Sequence, residues 1–308
     1  MAITSTTTIA NAINTAYEPG FREGVFRNDA LLSLLRAFGM AEIESMTGNT
    51  HNWHLNTTAN TSTAIYTEGA ASPQAVAQGW VRATLSFIYF WSHVQITGHA
   101  RDALKNGIFD AIEAEMMLAQ RDIADLRTTT FLGSSNNGLQ QAVSASATYA
   151  GITRGSAAYF ESSTTSTASI AGMRGLHRAV RDAEKGGNPT VNLVSPTLMA
   201  WYAGLAGTPG TSNFVLQTSG SGPSNVDVGY NWTGATFMGK PVVEIPDLTS
   251  TVWLMLDTSA QNLKHVVQRP FEVKFHHNEG DSEVYQITTA STIAVEMPKW
   301  QGIGTSLT

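Results

Sequence analysis

Histidine is the residue of this chain best suited to metal binding, because imidazole is a common metal ligand and the chain has 8 histidines and no cysteine. His51 and His54 lie three apart on a predicted strand, so their side chains point to opposite faces and cannot chelate one ion. His276 and His277 are adjacent, and the same objection applies to them, while His93 stands alone. The sequence predicts no metal site.

One segment resembles a phosphate-binding loop. Gly234–Lys240 (GATFMGK) matches the pattern as far as its lysine, but Pro241 stands where the magnesium-binding hydroxyl belongs. A phosphate loop also has to lie between a strand and a helix, whereas the following PVVEI is typical of a strand. We therefore predict neither a nucleotide site nor any other cofactor.

Catalytic patterns are missing as well. The chain contains no Gly-x-Ser-x-Gly elbow, no cysteine nucleophile and no patterned pair of acidic residues. Three Asn-x-Ser/Thr sequons occur, but they reflect the abundance of Asn and Thr rather than glycosylation. We expect no catalytic residue, and the protein is not predicted to be an enzyme.

The composition excludes two further classes. A net charge of −6 argues against a general nucleic-acid-binding surface, which needs clustered Lys and Arg. The most apolar run, Leu85–Trp91, is far shorter than the ~20 residues of a membrane helix. The N-terminal stretch has no basic residue before Arg22 and no apolar core, so it is not expected to be a signal peptide. No membrane contact is predicted.

A long amphipathic helix is predicted over Asp102–Leu126. Asp102 is a plausible N-cap and Arg127 a favourable cation near the C-terminal end. Apolar residues recur every three or four positions and define one buried stripe. These are Leu104, Ile108, Ile112, Met116, Ala119, Ile123 and Leu126. The segment from Thr128 onward (TTTFLGSSNNGLQ) is predicted to be a turn-rich exit.

Residues 49–98 are predicted to form an extended two-stranded arm. A Thr/Asn-rich strand leads to a turn at Glu68-Gly69 and Pro73, and Trp80–Thr97 forms one very long second strand. The run Phe87–Trp91 places aromatic residues on both faces of the arm. A two-stranded ribbon is marginal alone in water, so either the rest of the subunit or another copy has to cover it.

The remaining predicted elements are short. An N-terminal arm (residues 1–20) precedes a helix with Asn28 or Asp29 as its cap and Gly39 at its end. Further helices are predicted at Ser169–Glu184 and Pro196–Leu205, strands at Thr190–Val194, Lys240–Ile245 and Val252–Leu256, and a final hairpin with its turn at Asn278–Asp281.

Four features, in this order, resemble the major capsid proteins of tailed bacteriophages with the Hong Kong 97-type fold. The first is the Glu68-Gly69…Pro73 turn followed by a long strand and the long helix. The others are the helix exit Phe131–Ser134 with Asn137-Gly138, the motif Tyr149–Arg154, and the strand motif Phe237–Val243 (FMGKPVV). Each motif is weak alone, and their order across nearly the whole chain is the specific part.

The resemblance implies an α+β Hong Kong 97-like fold. Its parts would be an N-terminal arm with a short helix (1–48), an extended β-loop (49–98), a peripheral domain with the spine helix (99–164), an axial α/β domain (165–262) and peripheral strands with the C-terminus (263–308). The implied function is a structural one, self-assembly into the icosahedral shell that encloses the phage genome.

The same resemblance implies the partners and the contact residues. The chain would bind itself in pentamers and hexamers, with scaffolding, portal or decoration proteins as further partners, and would enclose double-stranded DNA without specific binding. It would be located in the virion capsid after assembly in the host bacterial cytoplasm. Candidate interface residues are Glu68, Gly69, Pro73, Trp80, Arg82, Arg101 and Asp110, with Arg101 of an adjacent chain as one partner for Glu68.

Two departures and two alternatives accompany the resemblance. Residues 49–98 contain no lysine, so the covalent Lys–Asn cross-link of the family's name-bearer is not expected. A built-in N-terminal scaffolding domain is not expected either, so that a separate scaffolding protein acts, the extension was cleaved, or none is needed. An encapsulin-type nanocompartment with the same fold is the nearer alternative, and a β-rich tail component or adhesin is the other.

Overall fold

The structure, a computed structural model, describes residues 30–44, 48–57, 65, 78–97, 110–154, 160–166, 169–183, 186–206 and 236–305. Within them the helices are α1 (Ala30–Ala37), α2 (Asp110–Leu132), α3 (Leu139–Ala142), α4 (Ile170–Asp182) and α5 (Pro196–Ala206). The strands are β1 (Ala41–Glu44), β2 (Thr50–Asn56), β3 (Trp80–Ser86), β4 (Ile88–Thr97), β5 (Thr148–Tyr149), β6 (Ile152–Thr153), β7 (Ser163–Thr165), β8 (Val191–Val194), β9 (Thr236–Phe237), β10 (Lys240–Glu244), β11 (Trp253–Leu256), β12 (Leu263–Glu279), β13 (Ser282–Val295) and β14 (Gly302–Gly304). The predicted α+β class is confirmed.

One sheet has four strands in the order β1-β12-β13-β4. Strands β12 and β13 form a long antiparallel hairpin with Gly280 at φ +60 in its turn, which confirms the turn predicted at 278–281. Strand β4 pairs antiparallel with β13, starting with Ile88 opposite Ser291. At the other edge, β1 pairs parallel with β12 and places Glu42 opposite His265. The late hairpin is therefore the centre of this sheet.

The prediction of a single strand from Trp80 to Thr97 is wrong. Strand β3 pairs with β2, β4 pairs with β13, and Phe87 lies between them with a side chain only 6% exposed. The chain thus passes from a two-stranded ribbon, β2–β3, into the four-stranded sheet at Phe87. The sequence contains no Gly or Pro at this point, so its run of β-formers continues through the change of partner.

Helix α2 packs across the four-stranded sheet, mainly on β4 and β13. Met116, Ala119 and Ile123 are buried as predicted. The ring of Phe131 meets Phe90 of β4 edge to face, with ring centroids 5.9 Å apart. The predicted N-terminal part of this helix, including the Asp102 cap, lies outside the described residues.

The predicted end of the helix is wrong in two respects. Leu126 is 54% exposed, whereas Arg127 is 3% exposed, because the buried stripe advances from Ile123 to the position four residues later. The helix also continues through the threonines to Leu132. The Thr130 hydroxyl donates to the Leu126 carbonyl at 2.6 Å, a local bond that lets a β-branched residue stay helical.

A second sheet has six strands in the order β7-β14-β11-β8-β10-β9. Strand β8 is parallel to β10 and antiparallel to β11, and every residue of β8 and β11 is buried. Helix α4 begins where Ser169 Oγ accepts a bond from the Gly172 amide at 3.0 Å, and it packs on β7 and β14. The predicted elements of this region, two helices and three strands, are confirmed.

Strand β14 joins the six-stranded sheet, pairing with β7 and β11. After the β12–β13 hairpin of the four-stranded sheet, the chain therefore returns to the six-stranded sheet. The domain limits given above remain a prediction. Strand β14 belongs to the predicted peripheral part (263–308), but it pairs with β11 of the predicted axial domain (165–262).

Helix α1 confirms the predicted short N-terminal helix. Leu31, Leu34 and Leu35 are fully buried, and Gly39 at φ +107 ends the helix in a conformation that suits glycine. The predicted arm (residues 1–20) and the cap residues Asn28 and Asp29 lie outside the described residues.

Candidate subunit interface

The β2–β3 ribbon has two chemically different faces. On the inner face, Trp53 and Leu55 of β2 and Ala83 and Leu85 of β3 are buried. The outer face is exposed and carries His54 opposite Arg82 and Asn56 opposite Trp80. This alternation follows from the two-residue period of a strand, and it gives each ribbon one covered face and one open face.

Two predicted interface residues lie together on the outer face. Trp80 is 62% exposed, and Arg82, two residues along the same strand, is exposed beside it. Asp110 is the first residue of α2, and its side chain is not described. The other candidates, Glu68, Gly69, Pro73 and Arg101, lie outside the described residues, so the predicted pairing of Glu68 with Arg101 stays a prediction.

The subunit itself covers the inner face of the ribbon. Trp53 Nε1 donates to the Glu296 carbonyl at 3.2 Å, and His51 Nε2 lies 3.2 Å from Glu296 Oε1. On the other strand, the Thr84 amide donates to the Ala150 carbonyl at 2.9 Å. The sequence left open whether the rest of the subunit or another copy covers the arm. In the described part of the ribbon, the subunit itself covers one face.

The aromatic run Phe87–Trp91 is divided in the same way. Phe87 and Phe90 are buried, whereas Tyr89 is 54% and Trp91 is 60% exposed. The exposed pair lies on the face of the four-stranded sheet opposite Phe90, which packs against α2. The run is therefore half core and half surface.

The motif Tyr149–Arg154 has a structural role, because its two end residues make buried hydrogen bonds to other segments of the subunit. The Tyr149 hydroxyl accepts from the Val295 amide at 2.9 Å, and Arg154, fully buried, donates to Ser162 Oγ at 3.1 Å and to the Ala142 carbonyl. The Arg154 guanidinium also lies 5.5 Å from the Tyr149 ring centroid. Burial lowers the pKa of Arg154 to about 10 and raises that of Tyr149. Sequence reasoning found the motif but not this role.

A second polar group, half-exposed Glu42 beside buried His265, joins β1 to the hairpin. The Glu42 carboxylate pairs with Arg36 of α1 and lies 3.5 Å from His265 Nδ1 of β12. The hydrogen bond with His265 lowers the pKa of Glu42, while burial lowers the pKa of His265. Arg36 and Glu42 both lie over two hundred positions before His265, and no spacing in the sequence indicates this contact.

The segment that resembled a phosphate loop is a β-hairpin. Strands β9 and β10 pair antiparallel, and Met238 and Gly239 between them both have positive φ, +52 and +76. Two successive residues in this conformation form the tight turn that suits twisted strands. The backbone here offers no helix N-terminus for a phosphate.

Three histidines approach one another, contrary to the geometric argument made from the sequence. The ring of His276 stacks on His93 at 5.5 Å and lies 4.6 Å from that of His277. An irregular register between Phe275 and His277 removes the alternation that should separate the adjacent pair. The rings of His93 and His276 are nearly parallel, at 18°, so their in-plane lone pairs do not converge. Among the described residues no group of His, Asp or Glu could hold a metal ion.

A family model described as the SU10 major capsid protein matches residues 25–308. The chain belongs to this family. It is therefore a structural major capsid protein that forms the shell of a bacteriophage, and not an enzyme. Its location is the virion capsid. The family match favours this reading over the nanocompartment and the adhesin.

Solved structures share the fold at low sequence identity. The cyanophage A-1(L) capsid matches with TM-score 0.64 and 15% identity over 91% of this chain and 92% of that chain. Microbacterium phage Oxtober96 matches with TM-score 0.56 and 13% identity over 99% and 96%. A virus-like particle from Pyrococcus furiosus matches with TM-score 0.51 and 12% identity over 94% and 99%.

The other comparisons add little. No curated protein matches the chain. Among the helices of the described residues, none is long and apolar enough to cross a membrane.

Proposed function

We propose that this capsid protein closes its shell through the outer face of the ribbon, within a Hong Kong 97-like arrangement. The extended β-loop (49–98) contacts a neighbouring subunit, the spine helix and the β12–β13 hairpin form the peripheral domain, and residues 165–262 form the axial domain. The observation that carries this proposal is that the described part of the subunit covers one face of the ribbon and leaves Trp80 and Arg82 exposed on the other.

The two exposed side chains are of the types that dominate protein interfaces. Trp and Arg are enriched among the residues whose truncation costs the most binding energy, because they bury much area and bond at their ends. They lie on a strand pair that the subunit already holds in place, so the backbone that carries them needs no further ordering on binding. The ribbon is thus prepared for contact before a neighbour arrives.

The composition supports the same assembly. Charged residues make up only 14% of the chain, which suits a surface largely occupied by copies of itself. A net charge of −6 suits a shell that encloses double-stranded DNA without binding it specifically. The partners in this proposal are copies of the chain in pentamers and hexamers, with scaffolding, portal or decoration proteins beside them, and assembly takes place in the bacterial cytoplasm.

The test is the double variant Trp80→Ala/Arg82→Ala, with Trp91→Ala/Arg178→Ala as a control. Both controls are exposed residues of the same types, Trp91 on the four-stranded sheet and Arg178 on α4. The ribbon variant should keep its fold by circular dichroism, with unfolding free energy changed by less than ~1 kcal/mol, because exposed side chains are replaced.

Electron microscopy of the two variants, expressed alone or with a scaffolding protein, then gives the result. We expect closed shells from the control and only subunits or small oligomers from the ribbon variant. Normal shells from the ribbon variant, or an equal loss in both, would show that the ribbon's outer face has no special part in closure.

A further inference from the structure

One carboxylate joins the ribbon to the body of the subunit. Glu296 follows β13 directly, and its two carboxylate oxygens have different partners. Oε2 accepts from Lys264 Nζ of β12 at 2.6 Å, and Oε1 lies 3.2 Å from His51 Nε2 of β2. The main-chain carbonyl of the same residue accepts from Trp53 Nε1 at 3.2 Å. We call these four residues the Glu296 cluster.

The cluster is well placed to fix an orientation. The ribbon leaves the body at two points, at Gly48 with φ +80 before β2 and at Phe87 after β3. Glycine adopts this conformation freely, so the backbone can change its angle at Gly48, whereas Phe87, which belongs to neither strand, is buried in the core and holds the other connection. The inner-face packing of the ribbon resists such a change, and the contacts of Glu296 with His51 and Trp53 hold the same face of β2 to the body.

The carboxylate of Glu296 lies between two basic side chains, those of His51 and Lys264. The side chains of His51, Lys264 and Glu296 are only 15–19% exposed, so water screens their interaction weakly. Burial raises the pKa of Glu296, but the hydrogen bonds from His51 and Lys264 outweigh it, and the pKa lies below its ordinary value of 4.5. Tyr149 of β5 is the other titratable group influenced by this carboxylate.

We propose that the Glu296 cluster is an acid-sensitive attachment that sets the angle between the ribbon and the body, and that losing its charge frees the ribbon while both sheets stay folded. Glu296 is thereby a positioning residue for the surface that carries Trp80 and Arg82. The attachment is a property of the single subunit, so it stands or falls separately from the shell contact.

The direction of the pH effect follows from the carboxylate. A carboxyl whose pKa is lower in the folded state contributes stability above its unfolded pKa, and this contribution is lost as pH falls through the folded pKa. The attachment is therefore complete above pH 4.5 and weakens below it. Neutralising the residue by mutation should have the same effect at neutral pH.

The experiment is hydrogen–deuterium exchange on the unassembled subunit, comparing wild type with Glu296→Gln at pH 7. We expect exchange in residues 50–56 and 80–86 to rise about tenfold, the scale of one lost charge-assisted hydrogen bond, with no change in residues 282–295. Glu272→Gln is the matched control, because its ion pair with Lys274 at 2.9 Å joins two residues of one strand.

A second comparison keeps the proposal testable if the variant does not fold. Wild-type protein moved from pH 7 to pH 4 should lose ribbon protection before it loses hairpin protection, and Glu296→Asp should retain part of the wild-type pH profile. Ribbon exchange unchanged in Glu296→Gln, or exchange that rises equally in the ribbon and in residues 282–295, would overturn the proposal. So would a wild-type ribbon that stays protected until the whole subunit unfolds.

Discussion

The six-stranded sheet and the ribbon use similar residues but bury them differently. Every residue of β8 and β11 is buried, so this sheet is covered on both faces within one subunit. The ribbon buries one face and exposes the other, with Trp80 62% exposed and Trp53 8% exposed on opposite sides. Apolar area removed from water stabilises the subunit only where the subunit itself covers it. The sheet therefore supports folding, and the outer face of the ribbon remains for assembly.

Replacing a tryptophan in the sheet should have the largest effect on stability. Trp253 of β11 is fully buried, its Nε1 donates to Asn192 Oδ1 at 3.2 Å, and its ring meets Tyr202 edge to face at 5.5 Å. Trp253→Ala leaves a cavity and an unpaired amide oxygen. We expect a loss of ~3–5 kcal/mol in unfolding free energy, measured by chemical denaturation. A loss under ~1 kcal/mol would mean that this sheet is not the stable core.

An intermediate effect is expected at the edge of the four-stranded sheet. Glu42→Gln removes the charge that faces Arg36 and His265. We expect a loss of ~1 kcal/mol at pH 7, kept small because the Glu42 side chain is 35% exposed and water screens the pair. The pKa of Glu42 is lowered by His265, so its contribution is present above the ordinary 4.5 and is lost below it.

The pH dependence separates this effect from simple packing. Denaturation of wild type and Glu42→Gln should give unfolding free energies that differ at pH 7 and converge as pH falls below 4.5. A difference that stays constant down to pH 3 would contradict the electrostatic explanation. Asp182→Asn, which breaks an exposed i,i+4 pair with Arg178 on α4, is the control and should change stability by less than ~0.5 kcal/mol.

The smallest effect on stability is expected on the ribbon. Trp80→Ala removes the same side chain as Trp253→Ala, but from a position that is 62% exposed. Its unfolding free energy should change by less than ~0.5 kcal/mol. If the two tryptophan variants lost equal stability, the outer face of the ribbon would have to be part of the subunit's own core.

The sequence predicted what local patterns determine. The helix predicted at Ser169–Glu184 and the turn predicted at 278–281 depend on residues a few positions apart, and the structure confirms them. The ribbon was also predicted, since alternation and a turn signal mark it. Its outer-face residues Trp80 and Arg82 follow from the family resemblance, and the two-residue period of a strand explains why they share a face.

Long-range pairing could not be predicted in this way. The break at Phe87 depends on β4 finding β13 almost two hundred residues later, and nothing near Phe87 signals it. The burial of Arg127 in place of the predicted Leu126 depends on what the helix packs against, and not on the helix's own apolar residues. The polar contacts of Tyr149, Glu42 and Glu296 join distant segments, so no spacing rule finds them.

Electron cryo-microscopy of assembled shells tests the ribbon contact most directly. We expect closed shells in which His54, Asn56, Trp80 and Arg82 of each ribbon lie within ~4 Å of atoms of a neighbouring subunit, the distance of packed side chains. The inner face, with Trp53 and His51, should remain on Glu296 of its own chain. Closed shells in which the outer face of the ribbon meets only solvent would contradict the account.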